Sequence, residues 1–217
     1  MLRLIKNLFG KKSEENTALS VSEKIDNMFE ELSENIVLIQ IGSDLAEQNL
    51  RKELCDVIDV LRIEVKDECG FIIPQIHITY NFTLQENEYK IYIRGNLAKD
   101  DFLIPNADGI RDEFYDTLKT VIYDRLGEIF TNDIVERYIS TTQKNNGWLI
   151  WNITSILSVP EIKIILIDLI NYGKSINNIG YIFEKIGEEI LLDGSYQEHC
   201  FKKYNPHAIA KQVIKQL

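Results

Sequence analysis

From Phe71 to Gly95 the chain reads FIIPQIHITYNFTLQENEYKIYIRG. Apolar and polar positions alternate before QENE, with Ile76, Ile78, Tyr80 and Phe82 in one phase and His77, Thr79 and Asn81 in the other. The second arm repeats the pattern, setting Tyr89, Ile91 and Ile93 against Lys90, Tyr92 and Arg94. A period of two sends successive side chains to opposite faces of a strand. The stretch therefore predicts an antiparallel hairpin, dry on one face and wet on the other. Upstream, NIVLIQIG is a branched-aliphatic run closed by Gly42, a buried strand by length and composition. Between the two, the period changes to three and four. Leu50, Leu54, Val57, Ile58, Leu61 and Val65 line one face of a helix that Ser43 can cap and Gly70 can end.

After Gly95, residues 96–109 contain Pro105 and Gly109 and predict a loop. A long helix to Phe130 should follow, with Phe114, Leu118, Val121, Ile122, Leu126 and Ile129 on one side. The order strand–helix–strand–strand–helix predicts an α+β sandwich over residues 35–130, its helices on one face of the sheet. Residues 131–217 predict an all-α helical subdomain. Asn132 or Asp133 caps a short helix through Tyr138, and WLIWNITSIL forms a helix or turn. Ser158 and Glu161 have capping-box spacing with Pro160 in the first turn. Gly173 closes that helix, Ser175 opens the next, and Asn205-Pro206 starts the last. Residues 1–34 read as a basic tail, a polar linker and a first helix, whose capping box is Ser20 and Glu23 and whose apolar face is Ile25, Met28, Phe29 and Leu32.

Composition narrows the function. The 217 residues are 45% hydrophobic and 27% charged, as in an ordinary soluble globular protein. Their net charge of −10 opposes binding to nucleic acid, which works by cations displacing counterions from phosphate. An RNA-binding βαββα module would also need a GxxG loop, which is missing. Cys55, Cys69 and Cys200 form no CxxC pair, so a reducing, cytoplasmic setting is expected. The apolar run from Ile162 to Ile170 is far short of the ~20 residues a membrane helix needs. Met1–Lys12 has no small-residue cleavage site. Its Leu4, Ile5, Leu8 and Phe9 among basic residues suit either a frayed tail or peripheral contact with an anionic membrane.

Candidate chemistry is sparse. His199 and Cys200 are adjacent, with His207 beyond, and adjacent side chains seldom converge on one metal ion. No phosphate loop, dinucleotide fingerprint or nucleophile elbow occurs. The expectation is a chain with no catalytic, cofactor-binding or metal-binding residues. Trp148 and Trp151 share a helical face; core placement is the first expectation for such a pair, and a binding contact the second. Tyr92 and Arg94 on the wet face of the hairpin suit partner contact. The alternative is an enzyme of unknown class with a site in the cleft between the two subdomains, using His77 or His199.

Two blocks carry a resemblance. The first comprises Gly42, then Ile73-Pro74, Ile76, Ile78 and Asn81, then Leu84, Asn87-Glu88-Tyr89, Ile91, Ile93 and Gly95. The second is TVIYDRLGEIF, TNDIVERY and LINYGKSINNIGYIFEKIGE, ending at Glu188. In this order they resemble the cytoplasmic part of the FHIPEP family, the large export-gate proteins of bacterial flagellar and injectisome type III secretion. The resemblance implies a reduced, stand-alone relative without the membrane part. It further implies a protein–protein interaction and assembly module in protein transport, with protein partners or homo-oligomers and no cofactor. That module would be cytoplasmic, or peripheral at the inner face of the membrane. An additional small subdomain of the family is shortened here to residues 96–109, which puts chaperone docking in doubt. The family's signature arginine is Asn177, so any salt bridge it makes is lost. The two subdomains would move about residues 96–109 and the Phe130 junction.

Overall fold

The computed structural model describes residues 35–43, 45, 50–103, 110–192 and 204–217. The expectations for Met1–Lys12, the Ser20/Glu23 helix, Pro105 and Gly109, and His199 and Cys200 lie outside the described residues.

Strand β1 (Val37–Ile41) buries Val37, Ile39 and Ile41 on one face. Helix α1 (Leu50–Cys69) buries Leu54, Val57, Ile58, Leu61 and Val65, the expected stripe. It returns the chain to β2 (Ile76–Tyr80), which pairs with β1 in parallel. Strand β3 (Glu88–Ile93) then pairs antiparallel with the other edge of β1, and β4 (Asn96–Phe102) pairs antiparallel with β3. The sheet order is β2-β1-β3-β4. The predicted pairing of β2 with β3 is thus incorrect, although both strands exist. Alternation reports which face a side chain occupies and carries no information about the neighbouring strand. The connection over residues 81–87 passes the end of β1: Asn81 N–H donates to Ile41 O at 3.0 Å and Gly42 N–H to Glu88 O at 2.9 Å. Phe82, expected on the dry face, is 87% exposed in that connection.

The true hairpin is β3–β4. Arg94 (φ 49°) and Gly95 (φ 76°) form its two-residue turn, with Ile93 opposite Asn96. Positive φ at both central residues matches the right-handed twist of the flanking strands. The predicted loop at residues 96–102 is therefore an edge strand, hidden in the sequence by its charges. Lys99 pairs with Asp101 at 2.8 Å, and Asp100 with Lys90 at 3.4 Å. A register shift opposite Ile91 and Tyr92 adds to these charges in blunting the edge.

The predicted long helix is divided into α2 (Ile110–Asp124) and α3 (Leu126–Ile129) by Arg125, whose backbone leaves the helical region (φ −110°, ψ 19°). Five helices follow: α4 (Asn132–Gln143), α5 (Gly147–Thr154), α6 (Val159–Asn171), α7 (Ile179–Leu192) and α8 (Pro206–Gln216). Thr131, and neither Asn132 nor Asp133, caps α4, accepting from Ile134 N–H. The Ser158/Glu161 box and the Asn205 cap form as expected. Helix α7 begins at Ile179, four residues after the predicted Ser175. The fold is α+β: a four-stranded mixed sheet backed by α1 and α2, followed by helices. Residues 35–217 form one unit with a continuous apolar core from Val37 to Val213.

Candidate functional site

Two aromatic sites dominate, one closed and one open. The closed site is the junction between the α+β layer and the helices, built on the end of α1. A helix leaves its last four carbonyls without intrahelical donors. Here Lys66 O accepts from Gly70 N–H at 2.9 Å, and Cys69 O from Ile176 N–H at 2.8 Å. Asp67 O accepts from Asn177 Nδ2 at 3.0 Å, and the Tyr138 hydroxyl donates to Gly70 O at 2.7 Å. The helical region thus caps α1 with groups remote in sequence. Asn177 makes an amide-to-carbonyl bond here.

Gly70 allows this approach. Its φ is +78°, and a Cβ there would meet Asn177 N at 2.4 Å. Beside it, Phe71 meets Phe130 edge-on at 5.2 Å, and Phe130 stacks on Tyr138 at 6.1 Å. Burial pushes the Tyr138 phenol above its ordinary range. Phe130 is fully buried, and residues 96–102 are hydrogen-bonded strand. Phe130 and residues 96–102 are thus packed into the structure, and residues 104–109 of the expected hinge lie outside the described residues.

The open site is a ledge on α5 and α7. Ile150 and Ile153 take the inward positions of the eight-residue α5, which turns Trp148 and Trp151 outward, 73% and 64% exposed. Core placement of the tryptophans is overturned by that competition between two faces of one short helix. Trp148 lines a small, shallow apolar groove of about 30 Å³ with Leu149, Ile153, Ile156, Ile190 and Leu191. Gly187 brings α7 close, since a Cβ there would lie 3.0 Å from Leu149 Cδ1. Leu191, which sequence reasoning passed over, is 52% exposed. The exposed Leu at the end of an otherwise apolar-striped helix was the available signal. Exposed indoles beside an apolar groove suit binding through apolar area.

Tyr92 is half-buried on β3 and Arg94 exposed in the following turn, so this pair lies on different elements from the tryptophans. Arg94 acts on Lys163 of α6, whose ammonium is held below the usual lysine range by burial first and by Arg94 second.

A third, polar groove of about 320 Å³ runs between α1 and β2, lined by Arg51, Cys55, Asp59, Arg62 and His77 among others. His77 lies there, and His207 sits elsewhere, its Nδ1 2.6 Å from Asp168 Oδ2, tying α8 to α6. Other shifted groups follow packing. Burial raises the Cys69 thiol and pushes Tyr89, set edge-on to Phe114, up to about 12. Among the described residues, no cluster of three or more His, Cys, Asp or Glu side chains suits a metal ion. Nor is any described helix long and apolar enough to cross a membrane.

Comparison with known proteins addresses the resemblance. The chain is 24% identical over 219 residues to the flagellar biosynthesis protein FlhA of Bacillus subtilis strain 168, covering 79% of this chain and 32% of FlhA. It thus spans about a third of that relative's length. Among solved structures, the Chlamydia pneumoniae CdsV protein matches with a TM-score of 0.66 at 15% identity, over 82% of this chain and 63% of that chain. The nonameric SctV-C of EPEC matches with a TM-score of 0.62 at 13% identity, again over 82% and 63%. These two matches show the fold. The sequence pattern of the FHIPEP family itself matches residues 5–113, reaching back into the stretch read as tail and linker and through every strand of the sheet. By that match, over half of its length, the chain belongs to the FHIPEP family.

Proposed function

We propose that the chain is a non-catalytic assembly module of a type III protein export gate. It works on the cytoplasmic side by binding protein, either further copies of itself or other export components. The observation that carries this reading is the outward pair Trp148 and Trp151, of which Trp148 lines the Leu191 groove. Large exposed aromatics next to an apolar groove are the usual centre of a protein interface. Family membership and the nonameric state of SctV-C support self-assembly as the first use of the ledge. Tyr92 and Arg94 supply a second, more polar contact on the β3–β4 hairpin. Residues 35–130 and 131–217 act as a sheet-bearing part and a helical part clamped at Gly70. Met1–Lys12 supplies peripheral contact with anionic lipid, and co-sedimentation with anionic vesicles should fall when those residues are deleted.

Sedimentation velocity over a hundredfold concentration range tests the main reading. The expected result is concentration-dependent association that Trp148→Ala with Trp151→Ala weakens by roughly thirtyfold or more, as for a hot-spot pair. A chain that stays monomeric throughout and captures no export component would overturn it. Association unchanged by the double substitution would remove the ledge from the reading.

A further inference from the structure

The edge of the sheet opposite the β3–β4 hairpin carries a second binding surface, independent of the tryptophan ledge. Strand β2 is the terminal strand, and among the described residues its outer edge has no strand partner. A terminal strand in a parallel ladder turns the N–H and C=O groups of alternate residues outward, unpaired. Beside this edge runs the polar groove, with Arg51, Asp59 and Arg62 of α1 on one wall and Ile76, His77 and Ile78 of β2 on the other.

The two arginines bracket the strand. Arg62 donates through Nε and Nη2 to Ile73 O, both at 3.3 Å, just before β2 begins. Arg51 donates to the Tyr80 hydroxyl at 3.3 Å and lies over that ring at 5.3 Å, where β2 ends. Eleven residues on a helix rise about 16 Å, close to the roughly 17 Å that five extended residues span. The guanidiniums therefore stand one at each end of a five-residue strand. Among the described residues, Asp59 is the one carboxylate lining the groove, and it lies 3.9 Å from Arg62 Nη1. On a chain of net charge −10 this is a locally cationic strip beside open backbone groups.

We propose that the β2 edge binds an extended acidic segment of a partner protein by strand addition. Backbone pairing to β2 supplies the register, and carboxylates six residues apart, an even spacing that keeps both on one face of the strand, meet Arg51 and Arg62. Neither arginine is idle in the free chain, so binding exchanges the Tyr80 hydroxyl and Ile73 carbonyl for a carboxylate. That exchange strengthens the contact, because charged acceptors bind guanidinium more tightly than neutral ones.

The test uses the full chain and a dye-labelled heptapeptide of alternating valine and threonine with glutamate at both ends, read by fluorescence anisotropy. Binding should weaken roughly tenfold in Arg51→Glu with Arg62→Glu, or in 0.5 M salt. It should also weaken roughly tenfold when the peptide backbone is N-methylated at every second residue, in one of the two phases. The N-methylated peptides need no altered protein, so the result does not depend on how the arginine variant folds. Absence of binding at millimolar peptide would overturn the proposal. So would equal binding of both N-methylated forms, of the same peptide with lysine ends, or of a thymidine oligonucleotide. Loss of self-association in the tryptophan variant leaves these outcomes unchanged, so the two readings stand or fall separately.

Discussion

Phe71, Phe130 and Tyr138 belong to the same residue class as Trp148 and Trp151, yet the first group is locked inside a joint and the second stands in solvent. The difference lies in what else occupies each neighbourhood. At the joint, carbonyls at the end of α1 require donors, and the helical region brings them, carrying the aromatic rings into contact. On α5, Ile150 and Ile153 already satisfy the core, so the indoles are left over on the other side. Aromatic content alone therefore does not separate scaffold from interface. The polar groups around each ring do.

Four variants would break or sharpen this contrast. Phe130→Ala, at the centre of the joint, should have the largest effect, a loss of about 3–5 kcal/mol from ring removal and the cavity left behind. Urea unfolding measures it, and a loss below about 1 kcal/mol would mean that the joint is not a packed core. Gly70→Ala comes next, at about 2–4 kcal/mol, from a left-handed backbone and a Cβ aimed at the Asn177 amide. Thermal melts that coincide with the parent would show that the two segments do not approach as described. Tyr138→Phe keeps the ring but removes the hydroxyl that donates to Gly70 O and accepts from Ile72 N–H, at about 1–2 kcal/mol. If that variant is as stable as the parent, the hydroxyl bonds add nothing to the stacking. Smallest of all, Trp148→Ala with Trp151→Ala should change stability by no more than about 0.5 kcal/mol per site, as at exposed positions. A large loss there would make the ledge part of the scaffold and dissolve the contrast.

Elements governed by local pattern were legible in the sequence, and pairings were not. The stripe from Leu54 to Val65, the buried phase of β3, the Ser158/Glu161 box and the Asn205 cap all depend on residues within a turn or two of each other. Placing β1 between β2 and β3 depends on partners 39 residues apart for β2 and 48 to 56 apart for β3, to which a period of two is blind. Strand β4 was concealed because an edge exposed on one side tolerates Lys99, Asp100 and Asp101, the very residues that suggest a loop. At the candidate sites, the spacing of Trp148 and Trp151 revealed a shared face without its direction. The Asn177 bond to Asp67 spans 110 positions, so no local signal pointed to it.

The insertion of β1 between two strands that are neighbours in the sequence also bears on how the chain reaches this structure. Segments 76–80 and 88–93 cannot zip together first as a native nucleus; among the described residues, the only native hairpin open to early, local formation is β3–β4. Completing the sheet requires β1 to close long loops to both neighbours, whereas the helices assemble from nearby contacts. Refolding is therefore expected to show early helical signal and a slower phase as the central strand docks, with β2 exposed to mispairing until it does.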